Sequence, residues 1–137
     1  MQFAGISYVA VIAAAAAGFA FGAAYYTALG KRWVAALGKS EEALKQGGMA
    51  KRLVISAVAQ AVIAFMLAGV VGHLGPGQVT VANGPIAGLS LWIGFVITTI
   101  AVNYAWQGAK PMLTIIDGGH WLGVLLLQGL VIGAIGV

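Results

Sequence analysis

Leu53–Leu74 reads LVISAVAQAVIAFMLAGVVGHL, 22 residues without one charged side chain, directly after the basic pair Lys51-Arg52. As a helix rising ~1.5 Å per residue it is about 33 Å long, enough for a hydrocarbon core of roughly 30 Å. A transmembrane helix is the expectation here, and it makes lipid the solvent against which the rest of the chain is read.

The same pattern recurs on both sides. No charged residue lies between Met1 and Gly30, and a helix over 6–29 would hold 24 residues. Gly75-Pro76-Gly77 and Asn83-Gly84-Pro85 bracket a short turn region. Ile86 to Trp106 gives a third span, ended by Gly108, Lys110 and Pro111. A fourth runs over 113–136, or from Gly118 if Asp117 caps it. The expected fold class is all-α: an integral membrane four-helix transmembrane bundle forming one domain over 1–137. Its spans are about 6–29, 53–74, 86–106 and 113–136, with a loop over 30–52.

Composition agrees. Of the 137 residues 61% are hydrophobic and 7% charged, against about a quarter charged in soluble domains; the mean hydropathy is +1.00. Too few polar side chains exist to cover a water-soluble surface, and disorder requires the opposite bias. With no cysteine, thiol–disulfide chemistry, Cys-ligated zinc and iron–sulfur clusters are excluded. A cleavable signal peptide needs a basic start and a shorter apolar core. No Lys or Arg precedes Lys31, so the first helix is expected to remain.

Six of the seven basic residues fall between Lys31 and Arg52. Nucleic-acid binders spread such residues over a solvated face; membrane proteins place them in cytoplasmic loops. The first and third connections are therefore expected in the cytoplasm, with both termini outside and no nucleic acid as partner. Lys31, Arg32, Lys51 and Arg52 are expected at lipid headgroups. Tyr25, Tyr26, Trp33, Tyr104 and Trp106 fit an aromatic belt at the inner helix ends. Ser40 before Glu41-Glu42 predicts a short N-capped cytoplasmic helix, and Trp33, Val34, Leu37 and Leu44 would lay an apolar side on the membrane.

Packing between helices in lipid relies on close backbone approach. Gly18 with Gly22, Gly84 with Gly88, Gly119 with Gly123, and Gly129 with Gly133 form small-xxx-small ridges among the 21 glycines. Some must serve contacts within one copy, and together they suggest self-association as a homo-oligomer or membership of a larger membrane complex. A faint internal echo is also present. Ala23, Tyr26 and Gly30 recur at the spacing of Ala101, Tyr104 and Gly108, which fits either a duplicated hairpin or the common needs of two inner helix ends.

Polar residues at membrane depth are where function is sought. Asp117 and His120 stand three apart, on one helical face. Asp117 reads as a helix cap, as a partner for Lys110, or with His120 as a proton-handling or cation-attracting site. Thr99, Asn103 and Gln107 form a stripe that serves as interhelical glue or lines a path. Gln60 and Gln128 are placed to bridge the second and fourth spans. His73 fits a solvated interfacial position. The chain shows no paired carboxylates, no Ser-His-Asp set and no phosphate-binding loop. No catalytic residue, cofactor or metal is expected, and an enzyme is not.

The order of these features resembles the bacterial membrane family catalogued as domain of unknown function seventeen sixty-one. The likeness lies in Tyr25-Tyr26, Gly30-Lys31-Arg32-Trp33, Leu37-Gly38, Ser40-Glu41-Glu42, Asn103-Tyr104, Gln107-Gly108 and Gly119-His120-Trp121-Leu122. The resemblance implies a small four-span protein of the bacterial inner membrane, and assigns no functional residue. Two function classes follow. The favoured one is a structural or accessory protein that binds lipids and partners. The other is a small channel or proton-coupled carrier using Asp117, His120, Asn103, Gln107 and Thr99.

Overall fold

A computed structural model describes residues 5–136, so residues 1–4 and 137 of the expected domain lie outside it. All its elements are helical: α1 (Tyr8–Leu37), α2 (Glu41–Lys45), α3 (Met49–Gly72), α4 (Asn83–Leu91), a π-helical turn (Trp92–Val96), α5 (Ile97–Trp106) and α6 (Pro111–Ile135). α4, the π turn and α5 run on as one rod. Four helices, Tyr8–Leu37, Met49–Gly72, Asn83–Trp106 and Pro111–Ile135, are long and apolar enough to cross a membrane. The chain is a multi-pass membrane protein.

Helix starts follow local chemistry. The Ser7 side chain accepts from the Ala10 amide at 3.2 Å, and Gly38, in the left-handed region at φ 69°, ends the same helix. α1 thus runs two turns beyond the expected Leu29. Trp33, Ala36 and Leu37 have something to pack on there, because Ala36 is buried against Leu113 and Ile116 of α6. The connector shrinks accordingly to residues 38–48, and Lys51 and Arg52 lie in the first turn of α3. Within the connector, Ser40 caps α2 by accepting from the Ala43 amide at 3.2 Å. The third span starts earlier than expected, at Asn83. Pro85 sits in its first turn, where a missing N–H breaks no helical bond, and Thr80 Oγ1 accepts from the Asn83 amide at 3.0 Å.

α6 is the central element. Its buried residues Leu113, Asp117, His120, Val124, Gln128 and Ile132 recur every three or four positions, so one stripe faces the other three spans. Its first residue is Pro111 and its cap position is Lys110. Asp117 is therefore the seventh residue of the helix and caps nothing, because α6 begins two turns before it. Lys110 does not reach it either: its Nζ donates to the Ala35 carbonyl at 3.1 Å.

The half of the bundle far from the connector is closed by an apolar core of Val11, Ala14, Ala64, Leu67, Ala68, Val71, Ala87, Leu125 and Ile132. The expected glycine ridges lie inside this one chain. A Cβ at Gly84 would collide with the Gly129 carbonyl, and one at Gly88 would sit 2.5 Å from the Leu125 carbonyl oxygen. Gly133 meets the Thr80 carbonyl. Gly18 makes room for Gln60 and Gln128, Gly22 for His120, Gly119 for the Tyr25 hydroxyl and Gly123 for the Phe21 ring. α5 by contrast buries no residue, and Phe95 and Trp106 are largely exposed.

Candidate functional site

Two of the three spans that surround α6 converge on Asp117. Burying a carboxylate demands hydrogen-bond donors, and three side chains supply them. The Tyr26 hydroxyl donates to Oδ1 at 2.6 Å and the Trp33 indole to the same oxygen at 3.1 Å, both from α1. The Tyr104 hydroxyl of α5 donates to Oδ2 at 2.6 Å. Asp117 is 9% exposed. No Lys, Arg or His among the described residues pairs with it, so every partner is neutral.

The backbone of α6 is held on both sides of this residue. The Tyr25 hydroxyl donates to the Ile116 carbonyl at 2.7 Å, and the Trp92 indole donates to the Gly118 carbonyl at 2.8 Å. Trp92 opens the π turn. One wide turn shifts the register of everything after it, which lets Trp92 and Tyr104 both approach α6 from a single rod.

One turn deeper, His120 lies among aromatic rings, with centroids 4.9 Å from Tyr26, 4.6 Å from Trp121 and 5.7 Å from Tyr25. Its Nδ1 is buried and has no hydrogen-bond partner among the described residues. Deeper still, Gln128 Nε2 donates to Gln60 Oε1 at 2.7 Å, tying α6 to α3 at the point left open by Gly18. Gln128 Oε1 is buried and also has no hydrogen-bond partner among the described residues.

Asp117, His120 and Gln60 face a cavity of about 450 Å³. Its wall is completed by Phe19, Gly22, Ala23, Tyr26 and Trp33 of α1, Leu53 and Ser56 of α3, Ile100 and Tyr104 of α5, and Trp121. Toward the connector end the cavity is flanked by Leu53, near the start of α3. A second, wider hollow of about 790 Å³ adjoins it there and shares Tyr26, Trp33 and Ser56 with it. Lys31, Glu41, Lys45 and Arg52 stand around that outer hollow.

The structure thus brings together only part of the polar set expected from sequence. Asp117 and His120 share the cavity. Thr99, Asn103 and Gln107 are exposed on the outer side of the third span and its end. Thr99 Oγ1 turns back onto the Phe95 and Val96 carbonyls at 2.7 and 2.9 Å. His73 lies outside the site, its Nδ1 2.6 Å from the Gly69 carbonyl. The residues missed as site residues are Tyr26, Trp33 and Tyr104, assigned to a lipid-facing belt. A signal existed in the echo that pairs Tyr26 with Tyr104, since those two hydroxyls occupy the two oxygens of one carboxylate.

The family described as "Protein of unknown function (DUF1761)" matches residues 9–133. The chain belongs to this family, and the matched region holds every residue of the site. No match was found among curated proteins or among solved structures.

Proposed function

We propose that this family member is a membrane carrier that takes a small solute bearing a positive group into the cavity beside Asp117. The observation that carries this reading is a buried carboxylate with three neutral donors, no basic partner among the described residues and a cavity at its side. Evolution of a purely structural bundle has little reason to keep such a charge, because an apolar residue packs at lower cost. Binding and movement, with no covalent chemistry, are sufficient for the residues present.

A carrier fits better than a channel. The cavity adjoins the outer hollow at the connector end and reaches inward to Gln60, beyond which the alanine-rich core is closed. A channel needs a polar file through the whole bundle, whereas a carrier needs a site reached from one side at a time. Under the positive-inside rule the open side, with Lys31, Arg32, Lys51 and Arg52, faces the cytoplasm of a bacterial inner membrane.

The absence of cysteine allows a direct test. Ala23→Cys in the cavity wall is expected to react with a membrane-impermeant maleimide added on the connector side. A cysteine there that stays unlabelled from both sides would remove the accessible cavity and the carrier with it. In proteoliposomes, Asp117→Asn is expected to lower cation-coupled flux at least tenfold.

A second reading, self-association, rests on Asn103. Its side-chain amide is exposed on α5 and makes no hydrogen bond among the described residues. An amide turned to lipid gains by finding a partner in another copy.

A further inference from the structure

The two adjoining hollows differ in sign, and together they define a ligand more narrowly than either does. Resting on the solute-binding reading above, we propose that the ligand is a zwitterion: an N–H-bearing ammonium group at Asp117 joined to a carboxylate or phosphate that lies between Lys31, Lys45 and Arg52.

The inner end is set by counting acceptors. An ionised carboxylate offers about four lone-pair positions. Tyr26 and Trp33 fill those of Oδ1, and Tyr104 fills one on Oδ2. One position on Oδ2 remains for a further donor, and the negative charge remains for a cation. An ammonium N–H supplies both at once. The cavity lining suits it too, because the aromatic rings of Tyr26, Trp33 and Trp121 stand in it, a ring system being able to attract a cation, while Leu53 and Ile100 offer apolar surface to its alkyl part. A metal ion suits the cavity poorly. Calcium takes six to eight oxygen ligands, usually several of them carboxylates, and no cluster of three His, Cys, Asp or Glu residues occurs among the described residues. The volume of about 450 Å³ is that of a pocket for an organic molecule, which typically holds roughly 300–1,000 Å³.

The outer end disfavours a simple cation. Three basic residues against the single acid Glu41 surround the hollow that leads inward, and an isolated ammonium would be repelled there. A ligand that keeps an anionic group in the outer hollow while its ammonium reaches Asp117 satisfies both. Arg52, Ser56 and Gln60 follow one another at helical i, i+4 steps on α3, with Ser56 in both linings. Taking those steps as a ruler, we set the ligand's two charges one to two turns apart, on the order of 6–11 Å. That spacing is met by an ω-amino acid of moderate length and by the ammonium-bearing headgroup of a zwitterionic phospholipid.

The test uses the full chain carrying Ala23→Cys in detergent micelles, read by protection from maleimide. The probes are 6-aminohexanoate, n-hexylammonium and hexanoate. The zwitterion is expected to protect at concentrations at least tenfold below either single-charge analogue. Asp117→Asn should bring it to the level of hexanoate, and Lys31→Gln with Arg52→Gln to that of n-hexylammonium. Equal protection by n-hexylammonium and 6-aminohexanoate in the unaltered site would overturn the zwitterion while leaving the cation carrier standing. Protection by hexanoate alone would overturn both. Because the ranking is read without touching Asp117, it holds even if that variant does not fold. To separate the two sources, labelling is repeated in nanodiscs without added solute. Protection by phosphatidylethanolamine but not phosphatidylcholine, which has no N–H, identifies a lipid headgroup. Protection only after 6-aminohexanoate is added identifies a free solute. No protection by any zwitterion in either setting overturns the proposal.

Discussion

At the scale of single residues, Asp117 depends on groups that come from two other spans. Each donor to a charged acceptor contributes about 1.5–3 kcal/mol in a soluble interior, though interhelical bonds in membranes average nearer ~0.6 kcal/mol with a maximum of ~1.7. Tyr26→Phe and Tyr104→Phe are therefore expected to destabilise the bundle by about 1 kcal/mol each, measured by denaturant titration in micelles. Because both hydroxyls serve one carboxylate, their effects should not add, and in an Asp117→Asn background each should shrink by half or more. Additive losses in the double variant would show that the hydroxyls act independently of Asp117. Asp117 and His120 were legible as a pair from their spacing and depth. Their surroundings were not, since a tyrosine or tryptophan at a helix end looks the same in sequence whether it faces headgroups or turns inward. Only the extension of α1 past Leu29 decides that for Trp33, and that extension depends on contact with Leu113 and Ile116.

At the scale of elements, four apolar runs separated by glycine, proline and charge made the spans readable, because length and hydropathy are local properties. Boundaries were less so: Pro85 reads as a breaker, yet it lies in the first turn of a helix, where proline is harmless. The π turn at Trp92–Val96 left no sequence trace, because its reason lies in the reach of Trp92 to Gly118. Glycines give a graded test of the packing. Gly84→Ala and Gly129→Ala each push a Cβ into the facing backbone and are expected to cost about 1–3 kcal/mol. Gly30→Ala, with nothing within 4 Å of the added carbon, should leave stability unchanged or raise it by up to ~1 kcal/mol through helix propensity. Equal thermal stability of all three variants would show that the α4–α6 crossing is not as close as described.

At the scale of the whole molecule, charge bias sets the expected orientation. Lys45→Cys, in the connector, should be labelled in inverted membrane vesicles and protected in intact spheroplasts; the opposite pattern would turn the map over. The glycine ridges face helices of the same chain, so the proposed association between copies would use the third span. Asn103→Leu is expected to convert an oligomer to monomer in cross-linking or light scattering, and an unchanged mass would discard that surface. The convergence of donors on Asp117 also bears on biogenesis. The acid belongs to the fourth span to leave the ribosome, while Tyr26, Trp33 and Tyr104 arrive with the first and third. A nascent fourth helix carrying an unpartnered aspartate enters lipid at a cost of up to ~3 kcal/mol, and its receptors are already made when it emerges. Insertion of the fourth span is thereby expected to depend on correct assembly of the spans before it, with the carboxylate as the checkpoint.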